Sequence, residues 1–93
     1  MKHITSPNNY YELKIIKIGK IIIFNADSYD KNLPPLIRES IDIPYAVEDA
    51  TGTATGNDGT VGICVIENNK FTVVSKKGLI HSWYGIIVTT LRD

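Results

Sequence analysis

Cysteine is almost absent from the chain: Cys64 is the single one among 93 residues, so no disulfide can form within one molecule. Its place in an apolar run marks it as a small buried hydrophobe. A domain of this length buries only about 60% of the surface its unfolded chain exposes. Without a disulfide framework or a metal cluster, association of copies is the common remaining route to enough buried apolar surface, and several copies are expected to pack together. Long apolar runs are missing as well. No stretch approaches the roughly 18 apolar residues of a membrane span, and the start, Met-Lys-His-Ile-Thr-Ser-Pro, has no signal-peptide core. The expectation is a soluble protein with no membrane insertion and no export signal. Net charge is also lacking, because ten basic side chains balance ten acidic ones. That removes any overall field toward nucleic acid or an anionic membrane.

The charge is nonetheless laid out in blocks. Residues 1–24 carry Lys2, Lys14, Lys17 and Lys20 against Glu12, a surplus of +3; residues 25–60 carry Lys31 and Arg38 against seven acids, −5; the rest carries +2. Such blocks suit either a basic strand lying against an acidic loop of another copy or acidic loops facing water.

Catalytic inventory is thin. His3 lies near the start of the chain, and His81 neighbours Ser82 in a strand-like run, where adjacent residues face opposite sides. Asp27, Asp30, Asp42, Glu48 and Asp49 do not follow the spacing of a calcium loop, so no metal site is assigned. Thr51-Gly-Thr-Ala-Thr-Gly-Asn-Asp-Gly59 has glycines but no following Gly-Lys-Ser/Thr and no helix, which excludes a phosphate loop and leaves a mobile surface connection as the expectation. No cofactor is expected. A chain with this inventory binds rather than catalyses.

What the sequence has in quantity is β-branched residues in short runs without three- and four-residue periodicity, so strands are expected throughout. Residues 11–26 form a hairpin around Gly19-Lys20, with glycine supplying the positive φ of a type II′ turn. Residues 27–40 contain Pro34 and Pro35 and read as a loop. Ile41 to Ala50 alternates, with Pro44 pointing to an edge. Thr60–Ile66, Phe71–Ser75 and Leu79–Leu91 form a meander with turns at 67–70 and 76–78. Ile21–Phe24 and the final strand from His81 to Val88 have almost no polar face, so both of their faces should be covered by a second sheet or a neighbouring subunit. The fold class is all-β, a small antiparallel β-sandwich. Residues 1–10 read as an N-terminal segment that frays, and 11–93 as one domain.

Aromatic side chains are the better binding candidates, because a flat apolar face with a hydrogen-bonding edge stacks on sugars and anchors interfaces. These are Tyr10, Tyr11, Tyr29, Tyr45, Trp83 and Tyr84. Tyr29, between Asp27 and Asp30 in a polar loop, and Tyr45 form the ligand-binding set. Ile22, Phe24, Trp83 and Ile86 are assigned to the core or to a subunit interface.

The succession Ile18-Gly19-Lys20-Ile21-Ile22, Leu33-Pro34-Pro35-Leu36-Ile37-Arg38-Glu39-Ser40, Gly59-Thr60-Val61-Gly62-Ile63, Phe71-Thr72-Val73 and Ser82-Trp83-Tyr84-Gly85-Ile86-Ile87 resembles the C-terminal tip domain of bacteriophage tail fibres and receptor-binding proteins, over residues 11–91. Pro35, Ile37 and Glu39 depart from that family's loop pattern, in which Gly, an aromatic residue and Pro are common. The resemblance implies a homotrimer of β-sandwich protomers at a phage tail tip, with exposed loops contacting a bacterial surface receptor, glycan or protein and often a saccharide. Fibre tips follow a long shaft. Beginning at Met1 without one, the chain is expected to be an excised domain, a separate subunit or a phage protein reusing the fold. The alternative is a free-standing small phage or bacterial protein, cytoplasmic rather than in the virion, that binds and inhibits another protein.

Overall fold

The structure, a computed structural model, describes residues 2–7, 10–28, 38–74 and 83–92, and every regular element in them is a strand. In chain order these are β1 (Lys2–Thr5), β2 (Glu12–Ile18), β3 (Ile21–Asp27), β4 (Arg38–Asp42), β5 (Ala50–Gly56), β6 (Val61–Glu67), β7 (Lys70–Val74) and β8 (Trp83–Thr90). The expected all-β antiparallel class is what the chain adopts. Instead of two stacked sheets, the strands form one sheet in the order β1-β2-β3-β8-β5-β6-β7-β4, curled until it is nearly closed into a barrel.

Two tight turns set the register. Gly19 has φ +60° while Lys20 stays outside the left-handed region, the combination of a type II′ turn, and Ile18 pairs with Ile21 across it. Between β6 and β7, Asn68 and Asn69 both have positive φ (51° and 62°), so a type I′ turn closes on the Glu67–Lys70 pair. Asparagine tolerates this backbone better than other side-chain-bearing residues.

Strand alternation then sorts side chains into two sets. The inner set includes Leu13, Ile15, Ile22, Phe24, Ala26, Ala54, Cys64, Ile66, Phe71, Val73, Trp83 and Ile87, all buried. Each Ile, Leu or Phe buried this way contributes about 1.5–3 kcal/mol. Aromatic rings fill the centre: Tyr11 lies 5.7 Å from Trp83 and 6.2 Å from Phe71, and Phe24 lies 6.0 Å from Phe71. Just before β2, the Tyr11 side chain reaches across the interior to the end strand β4, its hydroxyl donating to the Glu39 carbonyl at 2.6 Å. Ile4, Thr5 and Pro7 face Ser40, Ile41, Asp42 and Lys70 across the remaining open seam.

Several expectations from the sequence are corrected here. The segment at 1–10, read as frayed, contains β1, which pairs with β2 from Lys2↔Ile15 to Thr5↔Glu12. Ile4 packs on the core, and the Ser6 hydroxyl accepts the Tyr10 and Tyr11 amides at 2.9 and 3.2 Å. Of the loop expected at 27–40, Asp27 closes β3 and residues 38–40 open β4, which pairs with β7, while residues 29–37 lie outside the described residues. Thr51 to Gly56, read as a mobile connection, is a strand between β6 and β8. Its inner positions, Gly52, Ala54 and Gly56, alternate with outward threonines. Glycine and alanine are required inside because β8 lies close: a Cβ on Gly85 would sit 2.5 Å from the Cys64 sulfur and 3.2 Å from the Ala54 methyl. The turn read at 76–78 lies outside the described residues.

One side chain organises the segment after β4. Asn69 Nδ2 donates to the Ile43 carbonyl at 2.9 Å, its Oδ1 accepts the Val47 amide at 3.0 Å, and its own carbonyl accepts the Ile43 amide at 3.1 Å. The β6–β7 turn thus holds the bend at 43–47, where Pro44 follows the edge strand. Asn69→Ala is expected to cost about 2 kcal/mol in urea unfolding, from two lost hydrogen bonds and a strained left-handed alanine. Asn69→Gly relieves the strain and isolates the hydrogen bonds; a wild-type midpoint for Asn69→Gly would show that they contribute nothing.

Candidate interaction surface

The two described residues of the sequence-assigned binding set, Asp27 and Tyr45, do not come together. Asp27 is the last residue of β3, half-buried and paired with Glu12 and Tyr84. It marks the barrel end where Gly56 pairs with Trp83 and where the Ser28 amide donates to the Trp83 carbonyl at 3.1 Å. Tyr45 lies at the other end, in the bend beside the Gly19–Lys20 turn. There the Leu91 amide donates to the Lys20 carbonyl and the Arg92 amide to the Ala46 carbonyl, both at 2.9 Å. Tyr45 packs on the core, and the Lys2 ammonium sits 5.8 Å from its ring centroid, an exposed cation–π contact worth about 0.5–1 kcal/mol. Tyr29 and Asp30 lie outside the described residues.

Of the residues assigned to core or interface, Ile22, Phe24 and Trp83 are interior, whereas Ile86 is 45% exposed on the opposite face of the sheet. The Trp83 indole N–H has no hydrogen-bond partner among the described residues. Its backbone is well held, with the amide donating to the Ser28 hydroxyl at 2.9 Å.

Two reactive groups, the Cys64 thiol and the Tyr11 phenol, are buried. Burial pushes the Cys64 thiol up to about 12 from its ordinary 9.0, so at neutral pH it is an un-ionised and poor nucleophile. Burial also raises the Tyr11 phenol well above its ordinary value, with smaller contributions from Cys64 and Glu39. Tyr11 spends its proton on the Glu39 carbonyl, a structural use. Among the described residues no group of His, Cys, Asp and Glu side chains is arranged to hold a metal ion, and no helix is long and apolar enough to cross a membrane.

What stands out is the outer face of the sheet. The covering expected over both faces of β3 and β8 is not supplied within the described chain. Register aligns outward residues in rows: Ile16, Ile23 and Val88; Ile18, Ile21 and Thr90; Tyr84, Thr55 and Val61; Thr53, Ile63 and Val74. Ile18, Val61, Tyr84 and Val88 are about 60% exposed, and Ile16, Ile21, Ile63 and Ile86 more than a third. Charged side chains lie at the margins: Glu12, Lys14 and Asp27 on one side, Glu67 and Lys70 on the other. Comparison with protein-family models, curated proteins and solved structures returns no match.

This face was only half visible in the sequence. The run Ile21–Phe24 and the apolar final strand signalled it, but Val61, Ile63 and Val65 gave no sign of pointing outward. They do so because the inner positions of β6 are Gly62, Cys64 and Ile66. Cys64 is small, as the close approach of Gly85 requires.

Proposed function

We propose that the chain is a receptor-binding tip module of the kind found on bacteriophage tail fibres, which assembles with copies of itself and presents a barrel end to a bacterial surface receptor of saccharide type. The observation that carries this reading is the apolar outer face running from β2 across β3, β8 and β5 to β6. A surface of that composition in a chain of no net charge suits association. Further support comes from how buried and half-buried polar side chains are used. Ser6, Ser28, Tyr11 and Asn69 are engaged in holding backbone, which suits a rigid scaffold with recognition at its ends. The saccharide class comes from the family resemblance alone.

Because Asp27 and Tyr45 occupy opposite ends, one receptor site uses one of them. Titration of the protein against a panel of bacterial surface polysaccharides and whole cells is the test. Binding is expected, with a loss of about tenfold or more, or 1.4 kcal/mol, on Asp27→Ala and none on Tyr45→Ala. Absence of binding to every polysaccharide and cell type overturns the reading. Stoichiometric capture of one soluble protein through the Ile86 face would favour the inhibitor alternative instead.

A further inference from the structure

We infer that the open seam of the barrel takes in an extended segment of another protein as an added strand between β1 and β4, with an apolar side chain seated on Ile4 and Ile41 and an acidic one facing Lys2. This binding mode uses the two edges of the sheet rather than its apolar outer face, and it is independent of the receptor reading.

Backbone direction is the first support. The Ser6 amide donates to the Tyr11 carbonyl at 2.9 Å. By the alternation of an antiparallel ladder, Ile4 and Lys2 also turn their N–H and C=O toward β2, and His3 and Thr5 turn theirs away from it. On the far side, the Ile43 amide donates to the Asn69 carbonyl at 3.1 Å. Ile41 and Glu39 therefore bond to β7, and Ser40 and Asp42 turn their N–H and C=O away from it. The two rows border a groove of about 440 Å³, walled by Ile4, Thr5 and Pro7 on one side and by Ser40, Ile41 and Asp42 on the other. Neither row has a backbone partner in the seam among the described residues. Main-chain hydrogen bonds along such edges are what give β-strand addition its affinity.

The shape of the groove selects the occupant. A strand entering between two walls needs both of its own edges free. Every described strand of this chain is paired on at least one edge, so those strands of a second folded copy cannot supply it, whereas an extended tail or linker of another protein can. Pro7 and Pro44 follow the two edges and interrupt the rows, which matches the added strand to the four residues of β1 and the five of β4.

Side chains set its chemistry. Ile4 and Ile41 lie on the inner side of their strands, opposite Leu13 and Phe71, and an apolar residue of the added strand packs between them. Successive inward positions are two residues apart. Lys2 is the inward residue two before Ile4. Its ammonium, 5.8 Å from the Tyr45 ring centroid, has no carboxylate partner among the described residues, while His3 is paired with Glu12 and Lys70 with Asp42. An acidic residue two positions from the apolar one thus meets Lys2.

Fluorescein-labelled Thr-Glu-Thr-Val-Thr-Val-Thr, titrated with the protein and followed by fluorescence polarisation, is the test. Binding is expected with a dissociation constant at or below about 100 μM. The same peptide with Lys for Glu is expected to bind about fivefold more weakly, and Lys2→Glu to reverse that order. N-methylation of the peptide amides is expected to abolish binding. Thr5→Pro deletes a seam-facing N–H where an edge strand tolerates proline, and is expected to weaken binding about tenfold or more with far-UV circular dichroism unchanged. Should it fail to fold, the Lys2→Glu reversal carries the test. Hydrogen exchange read by NMR is expected to slow at the His3, Thr5, Ser40 and Asp42 amides when the peptide is added.

Absence of binding at about 1 mM protein overturns the inference. So do equal binding of the N-methylated peptide, a folded Thr5→Pro protein that binds like wild type, an unreversed order in Lys2→Glu, or protection confined to other amides. Protection of the same amides on concentrating the protein alone assigns the seam to a second copy and overturns it too.

Discussion

Trp83→Ala is expected to lower the unfolding free energy by about 3–5 kcal/mol, the usual range for removing a buried large aromatic. A domain of this size has about 5–15 kcal/mol in all. The effect is large because the indole is 1% exposed and packed against Tyr11. Ser28 pins the backbone on both sides of the Trp83 peptide group, which limits collapse into the vacated space. Trp83→Phe is expected to cost about 1 kcal/mol, because it also removes a buried N–H without an acceptor among the described residues, and leaving a donor unsatisfied costs about 1–3 kcal/mol. Urea unfolding followed by far-UV circular dichroism measures both, since the fluorophore is lost with the residue. A Trp83→Ala protein within 1 kcal/mol of wild type would contradict the core placement.

Gly52→Ala is expected to cost about 3 kcal/mol, at the upper end of overpacking effects. That corresponds to a melting temperature lower by roughly 12–24 °C for a domain this small. A Cβ at Gly52 would overlap the Ile86 carbonyl oxygen and stand 2.9 Å from Ile87 Cγ1. Backbone cannot rotate aside as a side chain can. Pairing of β5 with β8 stops at Ala54, and Gly52 lies where the sheet bends into the barrel, a usual place for glycine in a strand. Gly19→Ala offers the contrast. Its φ is positive but nothing lies within 4 Å of the added methyl, so it is expected to cost only about 1–2 kcal/mol. Equal thermal shifts for the two substitutions would show that close approach at Gly52 contributes nothing.

The two glycines also separate what was legible in the sequence from what was not. Gly19 announces its turn, because Gly-Lys between two β-branched runs has a local meaning. Gly52 announces nothing, since its reason is a carbonyl on a strand more than thirty residues away. The Thr51–Gly59 stretch therefore reads as a connection, although threonines alternate with small residues from Thr51 to Gly56 as in a strand. Lys2–Thr5 was hidden in a similar way, since Ile4 is its one apolar side chain and its strand exists through pairing with β2. For the candidate surface, the apolar final strand implied that something must cover its outer face. Which residues join Ile86 and Val88 there depends on β6 presenting Val61 and Ile63 outward.

By itself the sequence determined the all-β class, the Gly19 and Asn68-Asn69 turns and the burial of Cys64, and it assigned Trp83 to the core or a subunit interface. These follow from residue type and from periodicity within about ten residues. Only the tertiary structure decided that the strands make one curled sheet, that Asp27 and Tyr45 stand at opposite ends, and that the β-branched residues of β6 face outward. The physical reason is that strand order and facing are set by non-local packing. Gly52, Ala54, Cys64 and Gly85 must meet on the inside, and no local pattern encodes that meeting.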